Sequence, residues 1–230
     1  LNLIISNLRI PVERDGMDEY LKAASQSLKI SEQDIKVVKV LSKSLDVSNK
    51  DQFYYEISIV ATAPETFDNN ENFPVYTEEI RAERISKNIR ERPIIIGFGP
   101  AGMFAALELI DYGIKPVIFE RGKKIEERSI DVQRFIKERV LDPESNIQFG
   151  EGGAGSYSDG KLFSRAKTKN SKYINRVLDT FIKFGAPEEI GYVSKPHLGT
   201  DVLCRIVRNI RSYILERGGE IHYSSKMTDI

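Results

Sequence analysis

Ile94-Ile95-Ile96-Gly97-Phe98-Gly99-Pro100-Ala101-Gly102 is the stretch on which the fold turns. A short β-branched run leads straight into G-x-G-x-x-G, and a helix-forming segment, Ala101–Tyr112, follows. Each glycine has its own task in such a turn. Gly97 permits the tight reversal, Gly99 lets backbone approach a pyrophosphate, and Gly102 allows the helix to pack closely on the strand, with the small Ala106 one turn later. The start of the helix, at Pro100 and Ala101, offers N–H donors from Ala101 onward, Pro100 having none, and the positive end of the helix dipole to an anion.

Reading onward, Val117-Ile118-Phe119 forms a second strand that ends in Glu120, eighteen residues after Gly102. A carboxylate there can accept hydrogen bonds from both hydroxyls of an adenosine ribose and would repel a 2′-phosphate, which argues against NADP at this position. Strand, glycines, helix, strand and acid form a βαβ dinucleotide-binding unit, more specific than an isolated glycine-rich turn. FAD and NAD share the fingerprint, so the choice rests on its surroundings. Glu120-Arg121-Gly122 runs into a long helix, Lys124–Val140, and the third strand, Glu220–Ser224, comes only at the end of the chain. An insertion of that size resembles flavoenzymes of the glutathione reductase and succinate dehydrogenase groups and favours FAD. Arg121 and Arg128 are candidates to reach the pyrophosphate; the plainer alternative is surface pairing with Glu126, Glu127 or Asp131. Ile125, Val132, Ile136 and Val140 are expected to share the buried face of that helix.

A second glycine cluster follows in Asn146 to Leu162: five glycines lie between Gly150 and Gly160, with Phe149, Tyr157 and Leu162 as anchors. Gly153, Ala154, Gly155, Ser156, Ser158, Asp159, Gly160 and Lys161 are expected to pack on the flavin end of a dinucleotide, where backbone amides meet a flat ring. A flexible surface loop is the alternative, but linkers seldom carry such anchors. With Gly97 to Leu107, Glu120-Arg121-Gly122, this cluster, Lys195-Pro196-His197-Leu198-Gly199-Thr200-Asp201 and the opening Ile5-Ser6-Asn7-Leu8-Arg9-Ile10-Pro11, the chain resembles the predicted FAD-dependent dehydrogenases of bacteria, a NAD(P)/FAD-dependent oxidoreductase family. The resemblance spans essentially the whole chain and implies FAD in a cleft, with NAD(P)H a candidate external electron donor. Members continue beyond this length, so the chain is expected to be an N-terminal portion, inactive by itself.

The expected architecture is therefore α/β: an incomplete Rossmann-like, glutathione reductase-like FAD-binding domain over 93–230, preceded by a small α+β (β-α-β-β) module over 1–63 and a charged linker with a short helix over 64–92. In the module, Leu3–Ile10, Ile35–Val47 and the alternating Phe53–Ala61 read as strands. Met17, Leu21, Ala24 and Leu28 form the stripe of one helix, which must face the sheet. Composition sets the outer bounds. The 230 residues carry 34 Lys+Arg against 34 Asp+Glu with 40% hydrophobic residues, so a folded chain is expected and disorder excluded. Zero net charge and no evident basic patch argue against a nucleic-acid partner. The longest apolar stretch, Ile94–Leu107, is too short and too glycine-rich to span a bilayer. One cysteine precludes an intrachain disulfide and suits a reducing, cytoplasmic setting.

His197 and Lys161 are the candidate catalytic side chains: an imidazole near a flavin can move a proton, and an ammonium can neutralise charge on a reduced flavin. Each also has a structural reading, as a loop-bonding histidine and a solvated lysine. Thr200 or Asp201 is expected to cap the helix Thr200–Glu216, in which Cys204 flanks the stripe Leu203, Val207, Ile210 and Ile214. His222 reads as structural, no CxxC points to disulfide chemistry, and two separated histidines offer no metal site. The expected activity is that of an FAD-dependent oxidoreductase transferring hydride at flavin N5 to or from an unidentified small molecule; the alternative is a non-catalytic FAD- or NAD-binding module that recruits a partner.

Overall fold

The computed structural model describes residues 1–70, 73–78, 89, 91–158, 160–162 and 171–229. The chain has mixed α/β structure in two compact units, Leu1–Arg81 with Glu188–Pro196, and Ala82–Pro187 with His197–Ile230. The short helix expected in the linker falls outside the described residues.

In the first unit β1 (Asn2–Pro11), β2 (Lys36–Asp46) and β3 (Tyr54–Thr62) form an antiparallel sheet of order β1-β3-β2. One face is covered by α1 (Met17–Leu28). Its core joins Leu3, Ile5, Leu8 and Ile10 of β1 to Ile57, Ile59 and Ala61 of β3 under Tyr20, Ala24 and Leu28 of the helix. The register of β1 slips between Ile5 and Leu8, where Asn7 adopts a left-handed φ of 60° and restores the inward alternation beyond it. The expected helix stripe needs one correction. Met17 is exposed and Tyr20 is buried in its place, its hydroxyl donating to Asp15, which also pairs with Lys43. Burial and the bond to Asp15 push the Tyr20 hydroxyl up to about 12.

Both edges of this sheet are paired. Ile4 N–H donates to Pro74 O (2.8 Å) and Tyr76 N–H to Asn2 O (2.9 Å), so part of the stretch expected as linker lies along β1. On the other edge Lys43 N–H donates to Tyr192 O (2.8 Å) and Ser194 N–H to Lys43 O (3.0 Å). A segment far along the chain thus completes the first unit, closing edges that would otherwise be open to pairing.

In the second unit β4 (Ile94–Ile96), β5 (Val117–Phe119) and β6 (Glu220–His222) form a parallel sheet of order β4-β5-β6. Between them run α2 (Pro100–Asp111), α3 (Ile125–Glu138), α4 (Ser171–Lys183) and α5 (Thr200–Glu216). α2 and α5 pack together, burying Met103, Ala106 and Ile110 with Ile206, Ile210 and Ile214. Phe104 meets Phe181 of α4 at 6.0 Å, and Phe184 meets Tyr213 edge-on at 5.3 Å. Among the described residues β4 pairs with β5 on one side alone, with Ile94 65% and Ile96 48% exposed. Two further expectations are corrected. On α3 only Ile125 and Val132 of the anticipated face are buried, whereas Ile136 and Val140 are exposed and Arg128 is buried. α5 is capped by Gly199 without a side-chain bond; Thr200 already lies in the first turn, and Asp201 there complements the helix dipole.

Because Ile57 is fully buried at the centre of β3, Ile57→Ala should destabilise the first unit by about 2–5 kcal/mol. Urea unfolding would show this as a lower midpoint, and an unchanged midpoint would contradict the assigned core.

Candidate functional site

The turn after β4 is held by complementary devices. Gly97 takes a φ of 91° while its N–H donates to Phe119 O on β5 (2.7 Å), which fixes the turn against the neighbouring strand. At Gly102 a Cβ would stand 2.0 Å from Gly97 O, so no other residue fits without moving the helix off the strand. Gly99 caps α2 and Pro100 occupies its first turn, leaving the early N–H groups of the helix directed outward. Glu120, 5% exposed, closes the arrangement: Oε2 accepts from Phe98 N–H (2.7 Å) and Oε1 from Gly122 N–H (2.9 Å). Each oxygen thus holds one backbone donor and keeps further acceptor capacity.

The second glycine cluster is organised around Arg128, whose side chain is wholly buried. Nε donates to Asn146 O (2.8 Å), Nη2 to Ile147 O (2.8 Å), and Nη1 to Glu151 O (2.6 Å), Gly153 O (3.0 Å) and Gly150 O (3.3 Å). The Tyr157 ring lies 4.8 Å below the guanidinium, and burial draws the guanidinium down from the ordinary arginine range. Arg128 therefore neither pairs on the surface nor lines the cleft; it fastens the loop. The loop in turn fits closely around it: a Cβ on Gly150 would stand 2.4 Å from Arg128 Cδ. Gly152 N–H donates to Phe98 O (2.9 Å), joining the two glycine clusters.

Glu151 also has no exposed surface, a role the sequence reading did not assign. Its Oε2 accepts from Ile125 N–H (2.7 Å) at the start of α3 and from Arg211 Nη1 (2.8 Å), and Oε1 accepts from Tyr223 OH (2.6 Å). Arg211 also grips Glu126. Burial pushes Glu151 and Tyr223 up, while the bond from Arg211 holds the more exposed Glu126 below the usual carboxylate range. The available signal was a single acid between glycines, Gly150-Glu151-Gly152, but its partners lie on α5 and beyond β6.

A cleft of about 310 Å³ opens over the first turn. Of the expected site residues, Gly97, Gly99, Glu120, Arg121 and Gly153 line it, together with Phe149 and the segment Ser225–Met227. Pro100, Ala101 and Gly102 form the adjoining helix start. Arg121 stacks on Phe149 at 3.7 Å and forks onto Glu144 (2.8 and 2.6 Å). Ala154–Tyr157 forms a 3-10 turn with Ala154 and Gly155 exposed and Ser156 buried. Ser158 Oγ donates to Gly155 O (2.9 Å) and accepts from Gly160 N–H (3.2 Å); Asp159 lies outside the described residues. Lys161 and His197, distant in sequence, face each other across an antiparallel bridge, both exposed. Directly opposed residues of such a pair project to the same face. Cys204 is half-buried, and burial pushes its thiol up, away from reactivity. His222 stacks on Phe119 at 5.0 Å. Among the described residues no helix is long and apolar enough to cross a membrane.

No protein-family model matches the chain. An uncharacterised protein of Clostridium beijerinckii is 38% identical over 233 residues, which cover 98% of this chain and 43% of the relative. The chain thus spans less than half the length of that relative.

Two outcomes follow from these geometries. Arg128→Met strands five carbonyls in a buried loop and should cost about 3 kcal/mol or more, with faster proteolysis between residues 146 and 153; equal stability and equal cleavage rates would contradict the fastening role. Glu126, lowered in the folded state by Arg211, contributes stability that is complete above the ordinary glutamate range and lost as pH falls through its folded value. Glu126→Gln should therefore flatten the acid side of a urea-midpoint profile and leave Glu151 and Tyr223, both shifted upward, to shape the remainder.

Proposed function

We propose that the chain carries the adenosine-diphosphate end of an FAD site and belongs to an FAD-dependent oxidoreductase. The observation that carries the reading is the cleft itself: it lies over a strand, glycine turn and helix start, with Glu120 at the end of the neighbouring parallel strand. The residues fit the group. A helix start framed by Gly99 and Gly102 presents backbone N–H groups to a pyrophosphate, and the lone-pair capacity left on Glu120 suits ribose hydroxyls. The volume, near the lower end of small-molecule pockets, suits a nucleotide half better than a complete dinucleotide.

The β4-β5-β6 order, with α3, α4 and α5 inserted between β5 and β6, supports a Rossmann-like FAD-binding domain. Bound flavin would supply hydride chemistry at its N5; the substrate is a small molecule whose class these residues do not specify. The chain's own contribution is to hold the dinucleotide: Gly99 and the N–H groups that follow Pro100 at the phosphates, Glu120 at the ribose, and the exposed Ala154–Gly155 turn beyond Gly153 toward the flavin half. Lys161 and His197, side by side, are the pair suited to hold charge and move a proton at the reacting end.

Purification of the chain with added FAD should give a preparation retaining flavin absorbance in the visible range. Gly102→Val, which drives a side chain into Gly97 O, should abolish retention while Lys161→Ala leaves it largely intact. A colourless wild-type preparation that also fails to bind FAD in titration would overturn the reading. Binding without reduction by NADH, NADPH or other donors in the full-length protein would favour a non-catalytic binding module.

A further inference from the structure

We infer that Glu144 is a specificity-determining residue that keeps 2′-phosphorylated adenosine ligands out of the cleft, an inference that rests on the nucleotide-site reading above. Arg121 follows Glu120 directly and lines the cleft. An arginine near the acid at the end of this strand is where a ribose 2′-phosphate finds its counter-charge in dinucleotide sites. Lys226 lines the same cleft from the segment after β6. Two cations therefore stand beside the ribose position, and on charge alone they would welcome such a phosphate.

Glu144 removes that attraction from outside the cleft. Its Oε2 takes Arg121 Nε (2.8 Å) and Nη2 (2.6 Å) as a fork, and its Oε1 takes Lys226 Nζ (3.3 Å). The fork, with Phe149 stacked 3.7 Å from the guanidinium, holds Arg121 by its edge and its face, so it cannot swing toward a phosphate without breaking both contacts. Glu144 is itself positioned by its N–H, which donates to Asp142 Oδ1 (2.9 Å). With one carboxylate shared between both cations, the negative charge of Glu120 is left to dominate at the ribose and repels a 2′-phosphate. The arrangement separates a flavin dinucleotide, which lacks that phosphate, from NADP(H), a candidate donor that must not occupy the same position.

The test compares ADP-ribose with its 2′-phosphate by calorimetric titration of the flavin-stripped chain. The wild-type protein should prefer ADP-ribose. Glu144→Gln, at a half-exposed position, should keep the fold by circular dichroism and leave ADP-ribose affinity unchanged. It should tighten binding of the 2′-phosphate by about tenfold or more, a gain that shrinks with added salt and is lost again in Glu144→Gln/Arg121→Ala. An unchanged ratio of the two affinities in Glu144→Gln, with ADP-ribose still bound, would overturn the role of Glu144 and leave the nucleotide site standing. Failure of the wild-type chain to bind ADP-ribose and FAD alike would overturn both.

Discussion

Arg128 places a full positive charge in a side chain with no exposed surface and answers it with five carbonyl oxygens, from Asn146, Ile147, Gly150, Glu151 and Gly153, and with the face of the Tyr157 ring. Removing a guanidinium from water costs several kcal/mol, and hydrogen bonds to a charged group return about 1.5–3 kcal/mol each. Together the five offset that cost, and they draw the eight-residue stretch from Asn146 to Gly153 around one side chain. The consequence reaches the cleft, because Gly150 and Gly153 line it and Gly152 ties the loop to Phe98 of the first turn.

The two buried carboxylates follow a shared logic. Glu120 and Glu151 each use backbone N–H groups as counterweights, Phe98 and Gly122 for one and Ile125 for the other. Glu120 is then anchored by the very turn it stabilises, so its orientation at the cleft does not depend on a bound ligand. Glu151 gains Arg211 and Tyr223 as well, and thereby links the glycine loop to α5 and to the segment beyond β6. The cleft lining contributed by Ser225–Met227 begins two residues after Tyr223, so the network that fixes the loop reaches the chain just before that lining.

What was legible in the sequence was local. The strand, the glycine turn and the start of α2 are contiguous, and Gly97 and Gly102 do what their spacing implies. Arg128 was misread because periodicity assigns faces by apolar residues, and its five acceptors lie eighteen to twenty-five positions further on in a loop without period. Tyr20 displaced Met17 for a related reason: Met17 is one helical turn from Leu21 and Tyr20 one turn from Ala24, and Asp15 with Lys43 of β2 favours the tyrosine. The strips that close the first sheet, near Pro74 and Tyr192, are too short to carry an alternating pattern and are recruited by free edges that no local rule reveals.

Where specificity resides follows from chain order. β5 and β6 are neighbours in the sheet, yet α3, the glycine loop, α4 and α5 separate them in the chain. The strand ends furnish Glu120 and the glycine turn, which on the proposed reading are the elements common to dinucleotide sites. Phe149, Gly150 and Gly153 come from the inserted loop, and Glu144 stands at its entrance. The insertion therefore supplies what is particular to this cleft: a rigid aromatic support under Arg121 and the carboxylate that holds its charge. On the proposed reading the parallel sheet recognises a dinucleotide, and the insertion decides which one, because the charges that distinguish one adenosine from another are set by residues the sheet does not contain.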